Sequence, residues 1–171
     1  LELRLKYAYV KAKLPNLSFL TSPCILFGLS PRPGLPFEQS VNRYRVQGKM
    51  FLERNKVINT TGFGASLNLN LGGEMDKEYQ STVSKKYPGR YGSISLGIYN
   101  GGGYHELENN LNKTIETRLS VRPLPDILPG VQFSWAGAYG KDNTEQSRDY
   151  TMNSAYLTWE CPIVRFVGQY Y

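Results

Sequence analysis

The side chains that could do chemistry in this chain are mostly cations set at even spacings. Arg4 and Lys6 lie near the start, Glu116, Arg118 and Arg122 share one stretch, and Arg165 precedes Gln169 near the end. Even spacing puts side chains on one face of a β-strand. Rows of guanidinium and ammonium groups facing water would attract anions, whereas pairing of Glu116 with Arg118 or Arg122 would use up their charge. A second charged set, Arg32, Glu38, Arg43, Arg45, Lys49, Glu53 and Arg54, lies between residues 30 and 59 with Phe37, Tyr44 and Phe51 interleaved. Basic residues among aromatics also suit nucleic acid, but no binding signature accompanies them, so no nucleic-acid partner is expected.

Other constellations are weaker. His105 beside Glu106 and Glu108 reads as a solvated loop cluster, and the chain's single His and two Cys fall short of the usual four-ligand zinc set. Gly101-Gly102-Gly103 lacks the Lys-Ser/Thr of a phosphate loop, and Gly62-x-Gly64 lacks the third glycine of a dinucleotide fingerprint. The expectation is therefore no enzyme, no metal and no cofactor. Whether Cys24 and Cys161 pair stays open, because spacing alone cannot place them together.

The elements that must position the charges are strands. Leu1, Leu3, Leu5, Tyr7 and Tyr9 alternate with Glu2, Arg4 and Lys6, and Phe63, Ala65, Leu67, Leu69 and Leu71 alternate with small polar residues. Ile94, Leu96 and Ile98 stand opposite Ser93, Ser95 and Gly97, while Ile115, Leu119 and Val121 stand opposite Glu116, Arg118 and Ser120. The period of two continues to the end, predicting eight strands at 1–13, 19–29, 60–72, 90–100, 112–123, 130–141, 150–160 and 163–171, the second being the least regular. Each is near the ~9–11 residues with which a tilted strand crosses a bilayer. A spanning helix is not expected, because the longest charge-free run, Leu14 to Pro31, is broken by Pro15, Pro23 and Pro31. At 40% hydrophobic and 20% charged residues, with a formal charge of +6, the composition is that of a chain that folds.

Connections supply a second pattern. Residues 14–18, 123–129 and 161–162 are short links, while 30–59, 101–111 and 142–149 are longer and polar, an alternation typical of outer-membrane barrels. The charged stretch 72–89 falls where a short turn belongs and reads as an insertion or loop. Tyr7, Tyr9, Tyr91, Tyr99, Trp135, Tyr139, Tyr156 and Trp159 sit near strand ends, where interfacial aromatic girdles lie.

In this order the residues resemble the phosphate-selective porin O and P family of bacterial outer-membrane channels. The resemblance rests on Phe27-Gly28-Leu29 through Pro31, Phe37-Glu38-Gln39, Tyr44, Met50-Phe51-Leu52-Glu53-Arg54 and Gly62-Phe63-Gly64-Ala65-Ser66. It continues through Gly97-Ile98-Tyr99-Asn100-Gly101, Arg118-Leu119-Ser120-Val121-Arg122-Pro123 and Leu128-Pro129-Gly130. It implies an all-β fold, an antiparallel meander forming part of a transmembrane β-barrel, with residues 1–171 as one partial barrel domain. Barrels of that family have about twice as many strands, so the chain is expected to be a fragment, its sheet open between the first and last strands.

The resemblance further implies a bacterial outer-membrane location, contact with membrane lipid, a homotrimer, and passive diffusion of small anions, phosphate among them, or polar solutes. Pore-lining candidates are Arg4, Lys6, Glu116, Arg118, Arg122 and Arg165. By the same resemblance, Glu38, Arg43, Arg45, Glu53 and Arg54 would belong to an inward-folded constriction loop. The competing expectation from strand periodicity alone is a soluble secreted β-sandwich binding glycan or protein partners.

Overall fold

A computed structural model describes residues 5–43, 48–103 and 109–171. One antiparallel sheet holds all eight strands in sequence order: β1 (Ala8–Lys13), β2 (Leu20–Pro31), β3 (Thr61–Leu71), β4 (Gly92–Asn100), β5 (Lys113–Val121), β6 (Val131–Lys141), β7 (Asp149–Glu160) and β8 (Arg165–Tyr170). The predicted meander is present, and the sheet is open, with β1 and β8 as unpaired edges. Among the described residues no second sheet packs against this one, as a sandwich would require.

Period-two alternation fixes which residues share a face, and that face pattern carries through the register. Across β4, β5 and β6, Ser93 pairs with Ser120 and Ser120 with Ser134, while Ile94 pairs with Leu119 and Leu119 with Trp135. A one-residue slip would exchange the two sets, so the alternation and the pairing specify one another. The irregular second strand has a local cause. Its register shifts between Thr21 and Cys24, where Ser22 adopts a positive φ of 51° beside Pro23; a bulge absorbs the proline, which cannot donate to the ladder. The first strand is shorter than expected: Leu5, Lys6 and Tyr7 precede it as irregular chain, and Arg4 lies outside the described residues.

Three short helices lie in the connections. Following β2, α1 (Leu35–Val41) begins with Pro36 in its first turn, where the missing N–H costs nothing, and α2 (Phe51–Arg54) closes the same connection. Between β3 and β4, α3 (Lys77–Thr82) starts at Asp76, whose carboxylate accepts the Tyr79 backbone N–H at 2.7 Å. Because β2 and β3 are antiparallel, α1 and α3 approach from opposite ends of the sheet. Both end up over the same face. Leu35, Met50, Leu52 and Ile58 pack on Ala138 and Met152 of the wall, and Phe37 and Val41 on Ala136 and Tyr156.

Gly92 tests the tightness of this wall. Its φ is +127°, and a Cβ there would lie 1.9 Å from the Ser120 carbonyl oxygen, whereas Gly73, at φ +88°, has open space around it. Gly92→Ala should therefore lose at least the ~1–3 kcal/mol of a strained backbone plus the clash, and Gly73→Ala only the backbone part. Thermal unfolding followed by circular dichroism should rank the two in that order.

Candidate functional site

The covered face buries Glu116, Arg118 and Glu160, whereas Lys113, Lys141 and Asp149, at strand ends, are exposed. On β5 alone Glu116 and Arg118 are 1% and 2% exposed, and Arg122 follows them into burial just past the strand. On the other face of the same strands Ile98, Ile115, Phe133, Trp135 and Trp159 remain open. Charges inside and large apolar groups outside invert the ordinary soluble arrangement.

Glu116 takes its partner from the long connection, not from its own strand. The Arg32 guanidinium stands 3.2 Å from the Glu116 carboxylate and donates through Nη2 to the carbonyls of Asn100 and Gly102 at 2.8 and 3.1 Å. The alternative pairing with Arg118 or Arg122 is therefore not the one made. Arg32 thereby fastens the start of the connection to β4 and β5, and the Tyr99 hydroxyl adds a bond to the Pro31 carbonyl at 2.8 Å. Tyr99 and Tyr156 are buried on the covered face, so they do not belong to the expected aromatic girdle. Tyr7, Tyr9, Tyr91, Trp135, Tyr139 and Trp159 are exposed.

Arg118 has no carboxylate within ion-pair distance among the described residues. Its Nη1 donates to Ser93 Oγ at 3.0 Å and Ser120 Oγ at 2.6 Å. The Phe37 and Tyr87 rings stand 4.9 and 4.5 Å from the guanidinium carbon and meet each other edge-to-face at 5.2 Å. Such cation–ring contacts, worth about 0.5–2 kcal/mol each, replace part of the lost hydration. A polar relay then runs from Ser120 through Ser134 and Gln132 to Arg122, with links of 2.9, 3.4 and 3.3 Å.

The stretch expected as an insertion folds onto this row. Arg122 lies over the Tyr79 ring at 5.3 Å and donates to the Gly89 carbonyl. Arg165 donates to the Val83 carbonyl at 2.8 Å and stands 3.4 Å from Glu160. Arg122 and Arg165, expected to line a pore, lie on the covered side, where the insertion engages both. Lys6 does not join the row: it is exposed, precedes β1, and lines a shallow recess with Gln39, Arg43 and Glu53.

The expected constriction set divides. Glu38 is buried and accepts a hydrogen bond from the Tyr171 hydroxyl. Arg43 donates to Ser84 at 2.8 Å, linking the long connection to the insertion, and Glu53 accepts from Gln39 at 3.2 Å. Arg54 is exposed at the end of α2. Arg45 and the cluster at His105, Glu106 and Glu108 lie outside the described residues. Cys24 and Cys161 are free thiols. Among the described residues no three His, Cys, Asp or Glu side chains gather as a metal site would need.

Cavities lie beside these groups. One, of about 390 Å³, is lined by Arg118, Arg32, Tyr87 and Ser95; another, of about 870 Å³, by Lys49, Lys56, Lys141 and Tyr150. Arg32 lines both. The sequence pattern pointed to Arg118 and Arg122 but missed Arg32, Tyr79 and Tyr87 as the groups that engage the wall. The alternate serines 93, 95, 120 and 134 were the available signal of a small-residue lane. Comparison with protein-family models, curated proteins and solved structures gives no match.

Two outcomes follow from this geometry. Removing one member of a buried ion pair costs about 3–5 kcal/mol, whereas exchanging both for apolar groups costs far less. Arg32→Met and Glu116→Met should each be severe, and the double variant milder than either in a denaturant-unfolding cycle. Burial also pushes the Tyr79 and Tyr87 phenols up, with Arg122 and Arg118 partly opposing. Above the ordinary phenol range near pH 10 the folded state then keeps protons that the unfolded chain loses. Stability should be full below about pH 10 and fall as pH rises. Tyr87→Phe should flatten that fall in urea midpoints taken between about pH 8 and 11.

Proposed function

We infer that this chain forms wall of a bacterial outer-membrane β-barrel through which small anions or polar solutes diffuse. The observation that carries the reading is the inverted sheet. From β3 to β7 the open face bears Phe63, Leu67, Leu96, Ile98, Ile115, Leu119, Phe133, Trp135 and Leu157, and the covered face bears Ser66, Ser93, Ser95, Glu116, Arg118, Ser134, Ser154 and Thr158. Lipid solvates the first set and water or inward-folded chain the second. Along β6, Val131 to Tyr139 covers about 26 Å at ~3.3 Å per residue, which at a tilt of about 35–45° spans roughly 20 Å of the ~25 Å apolar band of such barrels.

Among the described residues no helix is long and apolar enough to cross a membrane, so strands are the crossing elements in this reading. Open edges at β1 and β8 would leave backbone groups unsatisfied in lipid, and a larger barrel closed by further strands removes that cost. The resemblance to the phosphate-selective porin O and P family supports the same reading and adds a trimer packed through the barrel walls. Diffusion involves no chemical step. Arg118, Arg122 and Arg165 would lower the entry barrier for anions, and contacts of modest strength would let them leave. Single-sheet topology gives the soluble sandwich no comparable support.

Planar-bilayer recordings of the complete protein under a salt gradient check the conduit: the reversal potential should report anion preference, reduced when Arg118 and Arg122 are both replaced by Gln. A cation preference indifferent to those substitutions would remove the anion claim. The lipid face has its own check. Trp135→Arg should destabilise the barrel in bilayers by about 2–4 kcal/mol if this residue lies near the midplane, whereas Trp135→Leu should be mild in the same unfolding assay.

A further inference from the structure

The geometry points to a binding site for an organic monocarboxylate at the Nε–Nη2 edge of Arg118. Of the five guanidinium N–H groups, the two on Nη1 are spent on Ser93 and Ser120. Nε is buried without a hydrogen-bond partner. Among the described residues Nη2 has no hydrogen-bond acceptor either, so the side-on fork is open toward the cavity in a residue only 2% exposed. A guanidinium fork matches the two oxygens of a carboxylate.

The surroundings argue for carbon behind that carboxylate. Arg118 lines the cavity of about 390 Å³ together with Leu26, Pro33, Pro36, Tyr87 and Pro88, which would pack against a hydrocarbon body. Two of the nearby polar side chains are already committed: the Ser95 hydroxyl donates to Asn68 at 2.6 Å, and Asn68 donates to Ser66 at 3.2 Å. A phosphate dianion has four oxygens to satisfy, and leaving buried charge without donors is costly. A monocarboxylate asks for one fork and an apolar wall. The cavity's charged lining, Lys11, Arg32 and Arg118 against Glu74, favours an anion.

This inference rests on reading the covered face as a conduit for anions, but binding and conductance are measured apart. Equilibrium dialysis of radiolabelled benzoate against the complete protein in detergent, at constant ionic strength, reads the site. Saturable binding at one site is expected, weakened at least tenfold in Arg118→Lys, which keeps the charge and lacks the fork. Unlabelled acetate should displace the label weakly, butyrate better, and inorganic phosphate least. Absence of saturable binding, an Arg118→Lys affinity equal to wild type, or phosphate outcompeting butyrate would overturn the proposal. The wild-type competition series decides the ligand class even if the variant fails to fold. Benzoate binding at Arg118 in a protein that shows no anion conductance would support the site and defeat the conduit.

Discussion

A guanidinium that leaves water without an acid partner must be answered by dipoles and π-faces, and Arg118 is where this protein meets that demand. The wall supplies Ser93 and Ser120, α1 supplies Phe37, and the insertion between β3 and β4 supplies Tyr87. Three segments distant in sequence therefore meet at one charge. None of the three could satisfy it alone: two hydroxyls reach only Nη1, and rings make no hydrogen bond in the guanidinium plane. The position of the insertion over the sheet is thus tied to the long connection as well as to the wall.

Around that charge the covered face is graded. Toward β6 and β7 it offers Ala136, Ala138, Met152 and Tyr156, an apolar seat for α1 and its neighbours. Elsewhere, from Ser93 and Arg118 on β4 and β5 to Arg165 on β8, it turns to serines and arginines, where the insertion docks through side chain to backbone bonds. Arg122 and Arg165 address carbonyls of Gly89 and Val83, so they hold the segment through its main chain. A wall built this way needs little apolar core beyond that seat, and most of its large hydrophobic groups stand on the open face.

Strand existence and order, and facing in β5, were legible because alternation is a local property: Ile115-Glu116 and Leu119-Ser120 declare opposite faces without knowledge of any partner; in β1 the expected facing is reversed, since Tyr9 and Lys11 turn to the covered side. The bulge at Ser22-Pro23 explains why the second strand was the least regular. What sequence could not give was long-range pairing. Glu116 has Arg118 two residues away, yet side chains at that spacing run parallel on one face, while Arg32 approaches from above and can meet the carboxylate head-on. The helices were hidden for a different reason: α1 lies in a proline-rich stretch that reads as loop, and α3 is too short for periodicity to declare, although Asp76 ahead of Tyr79 was a usable cap signal. Tyr99 and Tyr156 illustrate the remaining ambiguity, since an aromatic near a strand end serves equally as a girdle or as a hydrogen-bonded core residue until its face is known.

The two covering segments also differ in how they are held, and this bears on what can move. The long connection is anchored at its start by a buried ion pair, by the Tyr99 hydroxyl, and by apolar seating under α1 and α2. The insertion has a small apolar cluster of its own, Met75, Tyr79 and Val83, and reaches the wall chiefly through arginine contacts. A bond to a charged group is worth about 1.5–3 kcal/mol net, the same order as burial of one Leu or Met side chain, and the long connection has several such burials beside its ion pair. The long connection is therefore the more firmly seated of the two, and any opening of the covered face would begin at the insertion, with Tyr87 leaving Arg118 while Phe37 stays in place.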